Sequence, residues 1–329
     1  MKKVGFLLTL LANAVLLPFL FSPVLHANEK PKDQKKKNYT NSIVYTYSYN
    51  SGVLDTLSKQ LLVSKKYDTN GNEIEKIEYN NAGKFKEHLI TTFDEKGNET
   101  SGTWFDEKGA IIKSITFIFN EKNKKSRSIL YKADKKVTAS IEFKYDDRGN
   151  MIDEIWYKAD GKFDYHETTA YDDRNNLIEW IEFTPTGSPW RKQQFKYDNK
   201  NNRIEALIYN TCDIVSAKYV SVYDTSGNEI EQTKYDNAGT FLEKRKHKYN
   251  QQGKETELLI FDSHKKIITK EVYTIDDQGN EIQVERFTAD GTLEKKYTYK
   301  HNEYGKVIER IVYEGAENPI SKTIYIYAK

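Results

Sequence analysis

Paired aspartates are the residues in this sequence that first suggest catalytic chemistry. Asp146, Asp172 and Asp276 are each followed directly by a second aspartate. Neighbouring carboxylates act as acid and base in glycosidases and as ligands in calcium sites. A catalytic pair is expected once in a chain, whereas these aspartates recur at multiples of one fixed spacing. We therefore interpret them as residues of repeated turns.

The histidines and the single cysteine form no catalytic or metal-binding pattern. No two histidines have the i, i+2 or i+4 spacing of a metal-ligand pair; they are His26, His88, His166, His247, His264 and His301. Cys212 lies in the segment Asn-Thr-Cys-Asp, without a neighbour that would activate a thiolate. We expect no cofactor, no metal and no enzymatic activity. A polysaccharide-active enzyme stays an alternative, and it would need a cluster of acids outside the repeat pattern on one surface.

Four tryptophans are the candidate binding residues. Trp104 and Trp156 occupy the same position in two repeat units, and the alternation of side chains along strands places these two, Trp180 and Trp190 on the water-facing side of a sheet. Exposed tryptophans stack on sugar rings or anchor protein partners. Alternatively, they cover lysine stems and cross-strand neighbours. The prediction is a binding surface within residues 100–195, for a protein or an envelope polysaccharide.

A strict 26-residue repeat positions these side chains. The first aromatic series is Tyr67, Phe93, Phe119, Tyr145, Tyr171, Tyr197, Tyr223 and Tyr249, continued by Ile275 and His301. The second series follows twelve residues later: Tyr79, Phe105, Tyr131, Tyr157, Phe183, Tyr209, Tyr235, Phe261, Phe287 and Tyr313. No insertion interrupts the spacing, so about ten copies of one structural unit are expected.

The residues after the first aromatic series predict tight turns. The next residue is always Asp or Asn, and three positions later comes Gly or Asn, as in Asp224 and Gly227. Asp and Asn side chains accept hydrogen bonds from backbone N–H groups ahead of them, and Gly and Asn tolerate the left-handed conformation that closes a turn with a bulge. A looser turn of the same kind follows the second series. Each unit is therefore predicted to be a β-hairpin.

Alternation along the strands predicts two different faces. Phe85, Leu89 and Phe93 share one side of a strand, whereas Lys244 and Lys248 lie on the opposite side of an equivalent strand. This pattern is typical of an antiparallel sheet packed on one side. The predicted fold is all-β: an antiparallel β-hairpin repeat ribbon of about ten 26-residue units, coiled around an aromatic face because wide open sheets curl.

Two other geometries share the same period. Stacked parallel rungs would align residues such as Asn72, Asn98 and Asn150 in a ladder. A membrane barrel would turn the aromatic face outward, which is costly because Glu87 and Glu167 share the parity of the aromatics. The Asp-to-Gly turns favour the hairpin ribbon over both.

The N-terminal region differs from the repeats. Residues 1–27 combine two lysines, an apolar run and a small residue before a cleavage site, which is typical of a secretory signal peptide, although a retained anchor is the alternative. We predict a disordered Lys-rich tether over 28–40, capping strands over 41–66 and the hairpin repeat domain over 67–329. The protein is expected to be exported, to the periplasm, the cell surface or the medium, with no stable membrane span after cleavage.

The charge balance excludes one class of partner. The chain has 51 Lys and Arg residues and 49 Asp and Glu residues, so it has no concentrated basic excess for nucleic acid. The single cysteine also rules out an intrachain disulfide, so the fold alone must stabilise an exported chain.

The repeat unit resembles a known family. The segment Tyr-Asp-Asp-Arg-Gly-Asn-Met-Ile over residues 145–152, repeated as Tyr-Asp-Thr-Ser-Gly-Asn-Glu-Ile over 223–230, resembles the YD repeats of RHS and insecticidal toxin-complex proteins. The resemblance covers residues 67–317 and implies a spiralling β-sheet shell, which in that family can enclose a toxic C-terminal domain. Asn follows the Gly here, where the family commonly has Arg.

Two functions follow as hypotheses. The first is an extracytoplasmic binding or scaffold module, because repeat proteins present extended surfaces built from simple units. The second, implied by the resemblance, is a shell or accessory component of an RHS-like toxin system.

Overall fold

A computed structural model describes residues 39–328, and this part of the chain is all-β. The predicted signal peptide and residues 28–38 of the predicted tether lie outside the described residues. Twenty-two strands follow one another: β1 Asn41–Asn50, β2 Val53–Tyr67, β3 Glu73–Tyr79, β4 Phe85–Phe93, β5 Glu99–Phe105, β6 Ile111–Phe119, β7 Lys125–Lys132, β8 Val137–Tyr145, β9 Met151–Lys158, β10 Phe163–Tyr171, β11 Leu177–Phe183, β12 Pro189–Tyr197, β13 Arg203–Tyr209, β14 Val215–Tyr223, β15 Glu229–Asp236, β16 Phe241–Tyr249, β17 Glu255–Phe261, β18 Ile267–Ile275, β19 Glu281–Phe287, β20 Leu293–His301, β21 Val307–Glu314 and β22 Asn318–Ala328. The predicted all-β hairpin repeat is confirmed.

The sheet closes on itself. Each strand pairs antiparallel with the next, and β22 pairs antiparallel with β1, with Ser42 opposite Tyr327 and Ser48 opposite Ser321. Within the described residues, only neighbouring strands bring Cα atoms within 8 Å of each other. Twenty-two strands spaced about 4.8 Å apart give a width of roughly 105 Å perpendicular to the strands, which is the smallest circumference that the ring can have. The curled ribbon predicted from the sequence is thus a closed ring of strands.

The predicted Asp-to-Gly turns form in each repeat, and the turn of residues 224–228 shows how. The Gly227 N–H donates to the Asp224 carbonyl at 3.2 Å, and the Asp224 N–H donates to the Asn228 carbonyl at 2.9 Å. The Asp224 carboxylate accepts the N–H groups of Ser226 and Asn228 at 2.8 and 2.9 Å. Gly227 has φ +87°, where a side chain is strained. Local chemistry therefore reverses the chain.

Asparagines connect neighbouring hairpins at their tips. The Asn150 side-chain N–H₂ donates to the Asn175 amide oxygen at 3.0 Å, and Asn176 donates to Asn201 at 3.0 Å. An asparagine ladder of this kind was also expected for stacked parallel rungs. The strands that these asparagine turns connect pair antiparallel, as β10 with β11 and β12 with β13 do. The parallel-rung alternative is therefore wrong.

A β-bulge near each turn separates the two aromatic series. In the β3–β4 hairpin, Glu78 lies opposite Glu87 and Tyr79 lies opposite Phe85, which leaves Lys86 without an opposite residue. The extra residue shifts the side-chain alternation by one position. Phe85 and Tyr79 therefore lie on the opposite face from Leu89. The prediction that Phe85 shares one side of the strand with Leu89 and Phe93 is wrong for this reason.

One face of the sheet holds the buried hydrophobic side chains. By the strand register, all the buried hydrophobic residues within 39–328 lie on this face, and they are Ile115, Ala139, Ile141, Trp156, Trp180, Phe195, Ala206, Val284 and Val312. The first aromatic series shares it, and four of its tyrosine hydroxyls donate to backbone carbonyls of the preceding hairpin, as Tyr197 does to Leu177 at 2.9 Å. Side chains converge on the concave side of a closed sheet, so we assign this buried face to the interior.

The other face, called here the exposed face, is lined by ion pairs and by the second aromatic series. The Glu205 carboxylate lies between the ammonium groups of Lys196 and Lys218, with N–O distances of 2.7 and 2.6 Å. Glu257 and Glu309 repeat this arrangement at 52-residue intervals. The Lys192 ammonium lies 4.6 Å from the centre of the Tyr209 ring. These lysine stems cover the outer aromatics.

The ring has two rims, defined by its turns. The first rim carries the turns after β2, β4 and each later even-numbered strand, where the Asp-to-Gly turns lie. The second rim carries the turns after the odd-numbered strands.

Candidate functional site

The four tryptophans are divided between the two faces. Trp156 and Trp180 are 3% and 8% exposed on the buried face, and Trp104 shares that face. Trp190 is 48% exposed at the second rim. The prediction that all four point toward water is wrong for the first three, because bulges such as the one at Asp164 reverse the alternation and place Trp156 opposite Tyr165. Their role in binding stays a prediction.

A row of three glutamates runs across the buried face beside the tryptophans. Glu154 on β9 lies opposite Glu167 on β10, and Glu167 lies opposite Glu182 on β11. Opposed residues have Cβ atoms about 5 Å apart. We call these three residues the glutamate row. None of them is a residue that the repeat requires, and the register that aligns them depends on the bulges, so sequence reasoning missed them.

Indole N–H groups bind two members of the glutamate row. Trp156 Nε1 donates to Glu154 Oε1 at 2.7 Å, and Trp180 Nε1 donates to Glu167 Oε2 at 3.1 Å. The Trp156 ring stacks on Tyr165 with centroids 5.3 Å apart. The tryptophans therefore pack within the wall of the ring, where their rings are covered by neighbours and are not offered as stacking surfaces.

Burial dominates the electrostatics of the glutamate row. Burial raises the pKa of Glu167 to about 7, and the like charges of Glu154 and Glu182 add to this increase against the Trp180 hydrogen bond. Burial also raises the pKa values of Glu154 and Glu182. Arg191 Nη1 lies 3.4 Å from Glu182 Oε2, at the outer end of the row. The middle carboxyl, Glu167, is only 9% exposed.

A second acidic cluster lies on the buried face of β16 to β19. His247 Nδ1 and Glu255 Oε1 are 2.6 Å apart, and Tyr273 donates to Glu271 Oε2 at 2.5 Å. Burial raises the pKa of Glu281, and Glu271 and Glu255 add to this effect. Both clusters place titratable groups toward the interior.

Trp104 is held by its own neighbours. Its Nε1 donates to Glu87 Oε2 at 3.1 Å, and the Lys113 ammonium lies 4.6 Å from the ring centre. Lys76 also approaches Glu87, at 3.5 Å. The cation already occupies one face of this indole, so Trp104 is engaged in the wall.

Trp190 belongs to a set of exposed side chains that lie four to six strands apart around the second rim. It has no residue opposite it, because Glu182 pairs with Arg191 and Phe183 pairs with Pro189. Ile112, Ile268 and Ile320 occupy the same bulge position in other hairpins and are also exposed. We call these four residues the rim row. Aromatic and aliphatic side chains presented in this way are suited to contact a protein or a sugar ring.

The paired aspartates, the cysteine and the histidines within residues 39–328 are distributed around the ring. Asp146, Asp172 and Asp276 accept backbone N–H groups in their turns, as predicted. Cys212 is exposed in a turn of the second rim. Across residues 39–328, no group of three or more His, Cys, Asp and Glu side chains is arranged to hold a metal ion. The same residues contain no helix long and apolar enough to cross a bilayer.

Comparison with known proteins finds distant structural similarity. No protein-family model and no curated protein matches the chain. Similar solved structures include the Tc holotoxin pore of Photorhabdus luminescens, at 12% identity, with 80% of this chain and 15% of that chain covered and a TM-score of 0.36. The TcdB2–TccC3 complex is 11% identical, with 84% of this chain and 20% of that chain covered and a TM-score of 0.33. A porin-like protein from Bacteroides uniformis is 11% identical, with 88% of this chain and 96% of that chain covered and a TM-score of 0.30. The chain spans a fifth or less of the two toxin chains, so its function has to be inferred from its own residues.

Proposed function

We propose that this chain is an exported, non-catalytic β-repeat protein that acts as a binding or scaffold module at the cell envelope or outside it. The supporting observation is that the repeated residues are engaged in the hairpins themselves. A fold held by one repeated set of contacts leaves its variable positions free to meet a partner.

The contacts of one repeat unit support membership of the YD-repeat family. Tyr223 donates its hydroxyl to the Arg203 carbonyl at 2.9 Å, which ties one hairpin to the one before it. Asp224 accepts the turn N–H groups, Gly227 takes the left-handed conformation, and Asn228 donates to Asp224 at 2.9 Å. Each residue that carries the resemblance thus has a structural task, and none is free to act on a substrate.

The rim row is the surface that we propose for binding. Trp190 is the tryptophan whose ring is open to solvent, and exposed isoleucines occupy the equivalent positions of other hairpins. Large, rigid side chains with little entropy to lose dominate the energy of many interfaces. The proposed partner is a protein or an envelope polysaccharide.

Trp190→Ala combined with Ile112→Ala tests this surface. The wild type, this variant and a control variant, Ile326→Ala, are used in pull-downs from the native envelope and on a glycan array. Ile326 is an exposed isoleucine of the same face near the first rim. We expect the rim variant to lose at least about tenfold in affinity and the control to bind as the wild type does. Equal binding by all three would refute the proposed surface.

Closure of the sheet favours a second function, that of a shell or accessory component of a toxin-like system. A ring at least about 105 Å in circumference, formed because β22 returns to β1, surrounds an interior lined by aromatic and charged side chains. In that case a second protein, enclosed by the ring, would co-purify with this chain. The enclosed protein would resist protease until the ring is unfolded. Protease digestion of the native complex before and after urea treatment distinguishes the two functions.

Export is tested separately. Cells that express the full chain are fractionated, and the N-terminus of the recovered protein is determined. The proposal predicts a protein outside the cytoplasm that lacks residues 1–27. Recovery of the uncleaved chain from the cytoplasm would contradict it.

A further inference from the structure

The glutamate row brings three carboxyl groups together on the side of the sheet that is shielded from water. Glu167 occupies its centre, flanked by Glu154 and Glu182 on the two adjacent strands. The Trp180 N–H binds one oxygen of Glu167. Like charges at directly opposed positions in a sheet are destabilising, and burial strengthens the effect.

The charged and titratable groups around the row balance it incompletely. Two cations act on its members, Lys125 on β7 and Arg191 on β12. The charges of the row in turn act on Tyr145 on β8 and Tyr165 on β10, Asp164 on β10 also acts on Tyr165, and Glu99 on β5 interacts with Lys125. Lys125 acts on Glu154, whereas Arg191 pairs with Glu182 and also acts on Glu167, where it opposes the rise of the pKa. Glu167 lies between them with like charges on both sides.

We propose that the glutamate row is a pH-sensitive element of the ring, in which Glu167 keeps its proton at mildly acidic pH and its ionisation at alkaline pH loosens strands β9 to β11. A protonated Glu167 removes one charge from the row while its other oxygen still accepts the Trp180 N–H. Loss of that proton leaves three adjacent carboxylates. The proposal concerns stability and is independent of what the rim row binds.

The direction of the pH effect follows from proton binding. The pKa of Glu167 is about 7 in the folded protein, against an ordinary value of 4.5. Between these two values the folded protein binds more protons than the unfolded chain, so stability falls as the pH rises. From pH 5 to pH 8, this group alone raises the unfolding equilibrium constant roughly 70-fold.

Glu167→Gln isolates this contribution. Glutamine keeps an oxygen for Trp180 and cannot ionise, so the variant should lack that part of the pH dependence. Urea unfolding of the wild type and the variant is followed by circular dichroism at pH 5 and pH 8. The ratio of their unfolding constants is expected to change roughly 70-fold between the two conditions, with the variant gaining relative stability at pH 8.

Glu205→Gln is the matched control. Glu205 lies on the exposed face, where hydrogen bonds from Lys196 and Lys218 lower its pKa. Its replacement should destabilise the protein at both pH values to a similar extent, because the lowered pKa lies below this range. A Glu167→Gln variant with the pH slope of the wild type, or with the behaviour of Glu205→Gln, would overturn the proposal.

A measurement on the wild type covers the case in which Glu167→Gln does not fold. Infrared difference spectra of the full chain between pH 5.5 and pH 8.5 report the absorption of protonated carboxyl groups. The proposal predicts a carboxyl band that disappears with a midpoint near neutral pH while the fold persists. Absence of such a band would overturn it.

Discussion

Replacement of Trp156 by alanine separates a structural tryptophan from an exposed one. In the wild type this ring is 3% exposed, stacks on Tyr165 at 5.3 Å and donates its N–H to Glu154 at 2.7 Å. Trp156→Ala removes the ring, its stacking contact and the hydrogen bond together. Trp190→Ala, at a ring that is 48% exposed, serves as the matched control.

The size of the effect follows from the buried area. A buried tryptophan removes about 200 Å² from water, which at about 25 cal/mol per Å² corresponds to an upper limit of about 5 kcal/mol. Alanine retains part of this, and the lost hydrogen bond adds about 1 kcal/mol. We expect Trp156→Ala to reduce the free energy of unfolding by about 4 kcal/mol, within the range for Trp-to-Ala changes in protein cores. For Trp190→Ala, we expect a reduction of about 1 kcal/mol or less.

Urea titration followed by far-ultraviolet circular dichroism measures both free energies. This signal is preferable to fluorescence because the variants differ in tryptophan content. The reasoning would be refuted if Trp156→Ala unfolded within about 1 kcal/mol of the wild type, or if the two variants were equally destabilised. Either result would mean that Trp156 does not lie on the buried face.

Two further predictions concern the repeated residues. Gly97 has φ +81° and open space where a side chain would begin, so Gly97→Ala should reduce the free energy of unfolding by about 1 kcal/mol through backbone strain alone. Gly97→Asn should reduce it less, because Asn123 and Asn201 adopt the same left-handed conformation at the equivalent position. Equal urea midpoints for the two variants would contradict this prediction. Tyr197→Phe removes the hydroxyl that donates to the Leu177 carbonyl and should reduce the free energy of unfolding by about 1 kcal/mol. The fold should stay intact, since Phe93 and Phe119 occupy the equivalent position in other repeat units. A lowered urea midpoint with an unchanged circular dichroism spectrum would agree with this prediction.

The turns could be predicted from the sequence because their chemistry is local. Asp224 and Gly227 lie three residues apart, and the hydrogen bonds that they make are confined to the same five residues. The same holds in every unit, so the strand boundaries and the antiparallel pairing follow from the spacing alone. The fold class therefore needed no knowledge of distant contacts.

The faces could not be predicted, because a bulge leaves little trace in the sequence. Asp164 and Trp190 are each the extra residue of a bulge, and nothing in their residue types distinguishes them from paired strand positions. Simple alternation therefore placed Trp156 and Trp180 in water. The glutamate row was missed for the same reason, since its alignment appears only once the register is known.

Closure of the ring depends on contacts that are distant in sequence. Ser42 meets Tyr327 only if twist and curvature accumulate correctly over twenty intervening strands. Local turn chemistry is equally compatible with an open spiral, so the sequence left this point open.

A disulfide between β1 and β22 tests closure most directly. Ser48 and Ser321 lie opposite each other, at a separation that suits a disulfide after small adjustments. In a Cys212→Ser background, Ser48→Cys combined with Ser321→Cys should crosslink rapidly under mild oxidation. The product should then migrate faster on a non-reducing gel, while Ser48→Cys combined with Ser188→Cys should not crosslink. Failure of the first pair to crosslink, or equal crosslinking of both pairs, would contradict a closed ring of 22 strands.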